Sequence, residues 1–231
     1  MTRSFDLPNV LERFSGSAPL FPLPNLVLFP QVLQPLHIFE PRYRAMVADV
    51  LAGEKLIAMA LLQPGWEAGA DERPAIFPVV CLGRIVAHER LESGKYNLLL
   101  QGVQRALIQH EEGPYHAYRS ARLTLVPDRE PDLPLETEQA RRAELLDGFR
   151  RLFPRIVGQD ELHRTLNSDV SLGVLCDVVA YALQLEPVQA QEFLAEADVN
   201  RRCKMLLAKV RELIAAKQPQ RQEFPPQFSL N

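Results

Sequence analysis

Residues 19–44 read Pro19-Leu-Phe-Pro-Leu-Pro-Asn-Leu-Val-Leu-Phe-Pro-Gln-Val-Leu-Gln-Pro-Leu-His-Ile-Phe-Glu-Pro-Arg-Tyr-Arg44, with six prolines among bulky apolar residues. Because proline cannot donate a hydrogen bond to a sheet, it ends strands or lies at sheet edges. The stretch therefore predicts short extended segments that turn often, as in the wall of a small closed or half-open barrel. Its expected core residues are Leu20, Leu23, Val27, Phe29, Leu36, Ile38 and Phe39.

A helix is predicted to follow directly, over Pro41–Leu51. Its leading proline suits the first turn, because the missing N–H has no intrahelical partner there. Glu40 and Arg44 stand four residues apart with the acid first, the favourable order for an ion pair on a helix surface. Tyr43 and Met46, three residues apart, are expected to pack inward.

The rest of the first half predicts strands. The apolar and β-branched stretches are 55–62, 79–88, 96–101 with 103–109, and 116–126. The turn signal Ser93-Gly94 makes residues 79–109 a long hairpin with its turn near 92–95. Gly102, inside the second arm of the hairpin, predicts a bulge or a bend.

A proline-rich segment then separates strands from helices. Val126-Pro-Asp-Arg-Glu-Pro-Asp-Leu-Pro134 holds three prolines and four charges, so it sustains neither a helix nor a central strand. Helices are predicted over 136–153, 171–185 and 187–195 and after Asp198, which together would make a small bundle. The fold class is α+β, with a β-barrel domain at 1–126, a linker at 127–135, a four-helix bundle at 136–217 and a flexible tail at 218–231.

The composition excludes several functional classes. Of 231 residues, 47% are hydrophobic and 24% are charged, which argues against wholesale disorder. The net charge of −3 argues against a nucleic-acid binder. The longest plain apolar run, Leu56–Leu62, is far below the ~20 residues of a membrane helix. With no signal-like N-terminus and three cysteines that read as buried free thiols, the chain is expected in the cytoplasm.

The sequence lacks the common catalytic and metal-binding motifs. No serine precedes a lysine by three positions, and no glycine-rich loop suits a nucleotide phosphate. His110 and His116 stand six residues apart around Gly113-Pro114, which forbids the helix of a metalloprotease site. We therefore expect no catalytic residues, no metal and no cofactor.

The first motif strongly resembles the start of the Lon protease N-terminal, substrate-binding domain. The family's opening, its Val-Leu-Phe-Pro step and its Pro-Leu-His-Ile-Phe-Glu-Pro-Arg-Tyr-Arg run match residues 19–23, 27–30 and 35–44. Similar segments follow at 81–86, 97–106 and 198–202, so that the resemblance covers about residues 18–216.

The resemblance implies a PUA-like pseudo-barrel of about six strands and one helix, followed by a helical bundle. It marks as mainly structural the motif residues Pro22, Leu23, Phe29, Pro30, Pro35, Leu36, His37, Phe39, Pro41 and Tyr43. In Lon, an ATPase module and a Ser-Lys protease module follow this domain. Neither follows here before Asn231, so we expect the chain neither to hydrolyse ATP nor to cleave peptides.

The function expected from these observations is that of a stand-alone polypeptide-binding module, an adaptor or a holdase for unfolded proteins. A peptide would lie in the groove between barrel and bundle, or would add a strand to an exposed barrel edge. The candidate contact residues are Glu40, Arg42, Arg44 and the loop residue Trp66, which alternatively packs over the barrel mouth.

Small-ligand or RNA binding by a PUA-like barrel is the alternative. RNA binding would need a basic face that bears aromatic residues. The arginines are matched by acids, and the chain holds one Trp and five Tyr. The identity of the client and the oligomeric state do not follow from the sequence.

Overall fold

The computed structural model describes residues 11–68, 73–113, 117–130, 134–154 and 170–216, and the backbone of Ser229–Leu230. The chain forms two compact units that meet in sequence at Val126–Pro127. The first unit comprises residues 1–126 with 228–231, and the second comprises residues 127–227.

The first unit is a mixed sheet with one α-helix among its described residues. Its elements are β1 (Ser17–Leu23), β2 (Leu33–Ile38), α1 (Pro41–Ala52), β3 (Leu56–Leu61), a 3₁₀ turn (Trp66–Ala68), β4 (Val79–Arg90), β5 (Tyr96–Glu111), β6 (Ser120–Val126) and β7 (Ser229–Leu230). The strand order is β4-β3-β1-β6-β5-β2-β7, in which β1–β3 and β2–β7 are parallel and the other neighbours are antiparallel. Because β4 also pairs with β5, the sheet closes on itself.

The long strand β5 pairs with three other strands of this closed sheet. Its first part pairs with β2, its last part pairs with β6, and β4 lies along its other side. The predicted bulge at Gly102 is confirmed, since the register with β4 shifts between Leu82 and Gly83. There the N–H of Gln31 donates to the Gly102 carbonyl at 2.8 Å, and the N–H of Gly102 donates to the Val32 carbonyl at 2.9 Å.

Glycine is the only residue type that fits at position 102, because another part of the backbone approaches closely there. A Cβ at this position would lie 2.0 Å from the carbonyl oxygen of Phe29, well inside van der Waals contact. The Phe29-Pro30 step of the motif thus lies directly against the β5 backbone. The chain reverses immediately afterwards, at Gln31, whose φ is 64°.

Most of the expected core residues are buried. Leu20, Leu23, Val27, Phe29, Leu36 and Ile38 are at most 8% exposed. The prediction for Phe39 is wrong, because its side chain is 40% exposed. Side chains alternate along a strand, and Ile38 at the end of β2 already faces the core, so the next residue turns outward.

Helix α1 packs on the barrel through one face. Tyr43, Met46, Val47 and Val50 are buried, as predicted for the first two of these residues. The proline stands at the first helical position, and Gly53 follows the last turn with its N–H on the Val50 carbonyl. The helix start is therefore fixed in place by its buried face.

The second unit is helical in its described part. Its helices are α2 (Leu135–Leu152), α3 (Leu172–Ala182), α4 (Pro187–Ala195) and α5 (Val199–Ala215). The Ser171 hydroxyl caps α3, and the Asp198 carboxylate caps α5 by accepting from the Arg201 N–H at 2.9 Å. Helices α2 and α5 approach closely, since a Cβ on Gly148 would lie 2.4 Å from a methyl group of Val210.

The segment expected to be a linker begins as part of this second unit. The Arg129 N–H donates to the Ala197 carbonyl at 2.8 Å, and its carbonyl accepts from the Val199 N–H at 3.2 Å. Asp128 forms an ion pair with Arg202, which is fully buried on α5. The backbone of Arg129 and the side chain of Asp128 therefore contact the start of α5, while the Arg129 side chain is exposed.

The structure differs from the prediction at two further places, the start of β6 and the C-terminal tail. Residues 116–126 were expected to be a strand, and β6 begins at Ser120, with residue 116 outside the described residues. The tail was expected to be flexible over 218–231, but its backbone at Ser229–Leu230 pairs with Leu36–His37 as β7. Residues 217–228 lie outside the described part, so the structure does not describe Phe224 and Phe228.

Candidate functional site

The start of α1 carries two of the expected site residues, Glu40 and Arg42. They form an ion pair, with Nε and Nη2 of Arg42 at 3.0 and 2.8 Å from the Glu40 carboxylate. The predicted pairing of Glu40 with Arg44 is wrong. Glu40 is the N-cap residue and has an extended backbone (φ −64°, ψ 134°), so it lacks the helical geometry that brings i and i+4 side chains together.

Arg44 lies elsewhere, over the turn between β4 and β5. A Cβ on Gly94 would be 2.5 Å from the Arg44 Nη2, so the guanidinium covers this glycine. The Nε of Arg44 is buried without a hydrogen-bond partner among the described residues. Arg42 and Arg44 therefore belong to different surfaces, as their spacing of two residues predicts.

Arg42 lines a cavity of the first unit with a volume of about 420 Å³. We call it the arginine–tyrosine cavity; its lining residues are Pro22, Arg42, Tyr43, Arg73, Ala117, Tyr118 and Arg119. They come from the end of β1, the first turn of α1, and the segments before β4 and β6. The fold thus brings together residues almost 100 positions apart in sequence.

Arg119 is held more rigidly than Arg42. Its Nε donates to Glu111 at 2.9 Å, its Nη2 donates to the other oxygen of the same carboxylate, and its Nη1 donates to the Pro74 carbonyl at 2.8 Å. Its side chain is only 11% exposed, whereas that of Arg42 is 49% exposed. Of the three arginines that line the cavity, Arg119 is therefore fixed in place and Arg42 can adjust.

The two tyrosines differ in their contacts. The Tyr118 hydroxyl donates to the Asp49 carboxylate at 2.7 Å, and burial together with this bond raises the pKa of Tyr118. Tyr43 is 4% exposed, and its ring packs edge-on against Phe21 with the ring centres 4.6 Å apart. The Arg42 guanidinium lies over the same ring, 4.5 Å from its centre. Burial raises the pKa of Tyr43, so its hydroxyl stays protonated at neutral pH.

Trp66 is not part of this cavity. It lies in the 3₁₀ turn after β3 and is 38% exposed. Of the four expected contact residues, the structure therefore brings Glu40 and Arg42 together and leaves Arg44 and Trp66 apart. Sequence reasoning missed Tyr118 and Arg119, because both belong to a predicted strand with no motif of its own.

A second surface of the first unit is the outer edge of β2. This strand pairs with β5 over Leu33–Ile38, and on its other side Leu36 and His37 pair with β7. Leu33 and Phe39 flank the edge and are 41% and 40% exposed. The structure thus shows a short extended segment of this chain seated on a sheet edge that carries two exposed apolar side chains.

The remaining residues of the motif support these two surfaces. Leu23, Phe29 and Leu36 are core residues, and Pro22 lines the cavity. Pro35 lies within β2 opposite Leu99. His37 and Asn97 lie side by side across the β2–β5 pair, with the Nδ1 of His37 2.8 Å from the Asn97 side-chain oxygen.

Metal binding and membrane crossing are two further functions that the described residues bear on. These residues contain no group of three or more His, Cys, Asp or Glu side chains arranged to hold a metal ion. Within the same part of the chain, every helix falls short of the length and apolarity that crossing a lipid bilayer requires.

Comparison with known proteins assigns the fold and the family. Two solved structures share the fold: a Lon N-terminal domain protein from Xanthomonas campestris (24% identity, TM-score 0.61, 83% of this chain and 97% of that one) and the N-terminal domain of the Mycobacterium avium complex Lon protease (20%, TM-score 0.65, 85% and 98%).

Curated relatives are bacterial Lon proteases. That of Methylocella silvestris is 28% identical over 81% of this chain and 23% of its own length, and that of Aquifex aeolicus is 26% identical over 88% and 26%. The chain therefore spans about a quarter of the length of these relatives. The model of the ATP-dependent protease La (Lon) substrate-binding domain matches residues 17–211, and the chain belongs to that family.

Proposed function

We propose that this protein is a non-catalytic substrate-recognition module that binds extended segments of other polypeptides, as an adaptor or a holdase. The observation that carries the proposal is the pairing of Ser229–Leu230 with Leu36–His37 at the edge of β2. An edge that accepts an extended backbone from its own chain has the geometry to accept one from a client.

The physics of strand addition supports this edge as the contact surface. Main-chain hydrogen bonds supply affinity in this mode, and side chains beside the edge supply selectivity. The side chains of Leu33 and Phe39 are two-fifths exposed at opposite ends of β2. They would contact apolar side chains of the added strand, which favours clients with exposed apolar segments.

The family assignment supports the same class of function. The matching model is that of a substrate-binding domain, and the curated relatives are Lon proteases. We further propose that the closed sheet is a PUA-like pseudo-barrel and that the helices of the second unit form a four-helix bundle. We place the protein in the cytoplasm, since its three cysteines are buried free thiols.

The proposal is tested by binding of a labelled extended apolar peptide to the full chain and to a variant truncated after Gln227. Truncation removes the segment that occupies the edge, so the peptide should bind more tightly to the shorter protein. Absence of binding to both proteins would contradict the proposal. ATP and casein should not be turned over by either protein.

Side-chain variants locate the site. Leu33→Ser and Phe39→Ser should each weaken binding of the peptide, because both side chains flank the edge of β2. Leu107→Ser is the matched control, since Leu107 is 37% exposed on β5, where β4 and β6 occupy both sides. An equal loss of peptide affinity in all three variants would exclude a specific role for the β2 edge.

A further inference from the structure

We propose that the arginine–tyrosine cavity binds a carboxylate of the recognised polypeptide, either an Asp or Glu side chain or a free C-terminus. The inference rests on the proposed function and adds an acidic anchor to it. Arg42 follows Phe39 by three residues, which span at most about 11 Å. A peptide that leaves the β2 edge at Phe39 would therefore reach the cavity.

The arginines retain donors for such a group. A guanidinium has five N–H donors. Contacts with Glu40 account for two nitrogens of Arg42, and contacts with Glu111 and Pro74 account for three of Arg119, with one donor each. Both side chains line the cavity, so both can donate to an oxygen placed within it.

Tyr43 adds a hydroxyl donor to the arginines of the cavity. The residue lines the cavity, and the Arg42 guanidinium lies over its ring, 4.5 Å from the ring centre. A tyrosine hydroxyl donates one hydrogen bond. A carboxylate oxygen in the cavity could accept that bond beside the guanidinium of Arg42.

The charges around the cavity favour a carboxylate over a phosphate. Three acids contact lining residues without lining the cavity themselves: Glu40 on Arg42, Asp49 on Tyr118 and Glu111 on Arg119. These acids offset much of the positive charge of the arginines. The remaining charge suits a carboxylate with one negative charge better than a phosphate with two. The Glu40–Arg42 pair is solvent-exposed and hence weak, so an incoming carboxylate can replace Glu40.

The test compares matched peptides on the full chain. One pair differs by Glu against Gln at a single position, and another by a free against an amidated C-terminus. An acidic member should bind about tenfold more tightly than its neutral partner, the order expected for hydrogen bonds to a charged group. Arg42→Gln and Tyr43→Phe should remove this preference, and Arg90→Gln, an exposed arginine outside the lining, should keep it.

A second measurement does not depend on peptide binding. Glutarate and inorganic phosphate are titrated into protein with ¹³C-labelled tyrosine, and the Tyr43 ring resonances are followed. Glutarate should shift them in the wild type and not in Arg42→Gln. Tighter binding of phosphate would overturn the assignment of a carboxylate.

The experiments distinguish a failure of the acidic anchor from a failure of the proposed function. Equal binding of acidic and neutral peptides, with no glutarate shift, would refute the acidic anchor and leave peptide recognition standing. A glutarate shift that depends on Arg42, without binding of any peptide, would support the anion site and refute the proposed function.

Discussion

The Nη2 of Arg202 lies 2.5 Å from the Oδ2 of Asp128, a residue 74 positions earlier in the chain. The guanidinium also lies 3.2 Å from Asp177 on α3 and donates to the Glu196 carbonyl at 2.7 Å. Arg202 is fully buried and the Asp177 side chain is 2% exposed. One buried cation therefore joins α3, α5 and the segment that enters the second unit.

Arg202→Met should destabilise the second unit by about 3–5 kcal/mol, because it leaves a buried carboxylate without its counter-charge. Urea denaturation followed by circular dichroism measures the loss. Arg201→Met is the control, since the Arg201 side chain is 71% exposed and should contribute under about 1 kcal/mol. Arg202→Met combined with Asp177→Asn should recover part of the loss; no recovery would show that Asp177 is not the source of the penalty.

Gly102→Ala should destabilise the first unit by about 3 kcal/mol or more, because the added methyl group collides with backbone that cannot turn aside. The Cβ would lie 2.0 Å from the Phe29 carbonyl oxygen. Gly53→Ala is the matched control, since its Cβ would meet atoms only at 3.8 Å or beyond. Equal melting temperatures of the two variants would contradict the close approach.

Leu36→Asp should prevent stable folding of the first unit. Leu36 is 0% exposed, and burying an unpaired carboxylate costs several kcal/mol, of the order of a domain's whole stability. Leu33→Asp, on the same strand at 41% exposure, should keep most of the stability. A soluble Leu36→Asp protein that melts at the wild-type temperature would refute the burial of this side chain.

Arg42→Glu should leave the melting temperature nearly unchanged, because an exposed ion pair contributes under about 1 kcal/mol. It should weaken binding of reduced carboxymethylated lactalbumin, with a smaller loss at high salt, since a charge at the edge of a binding site acts mainly through long-range attraction. Arg90→Glu controls for the change in net charge. Wild-type affinity of Arg42→Glu at both salt concentrations would exclude the start of α1 from the site.

The cap of α5 should make stability depend on pH in acid. The backbone N–H of Arg201 holds the pKa of the Asp198 carboxyl below its usual range. A carboxyl whose pKa is lower in the folded state stabilises the fold above its unfolded pKa of about 3.9 and loses this contribution as the pH falls through the folded value. The difference in melting temperature between wild type and Asp198→Asn should therefore change below about pH 4. If the melting temperatures of the two proteins differed by the same amount at every pH down to 2.5, this role would be contradicted.

The sequence alone determined the family, the strands of the first half and the proline at the start of α1. Local signals carry these features: the Pro19–Arg44 motif, the Ser93-Gly94 turn and the cap at Asp198. Such signals act within a few residues, so they can be read without knowing what lies across the fold.

The tertiary structure alone decided which side chains share a site. Glu40 pairs with Arg42 instead of Arg44 because a capping residue does not have helical geometry. The cavity places Arg42 and Tyr43 beside Tyr118 and Arg119, whose positions depend on the pairing of β1 with β6. Sheet closure brings together residues that are distant along the chain, and no local pattern of apolar and polar residues specifies which of them meet.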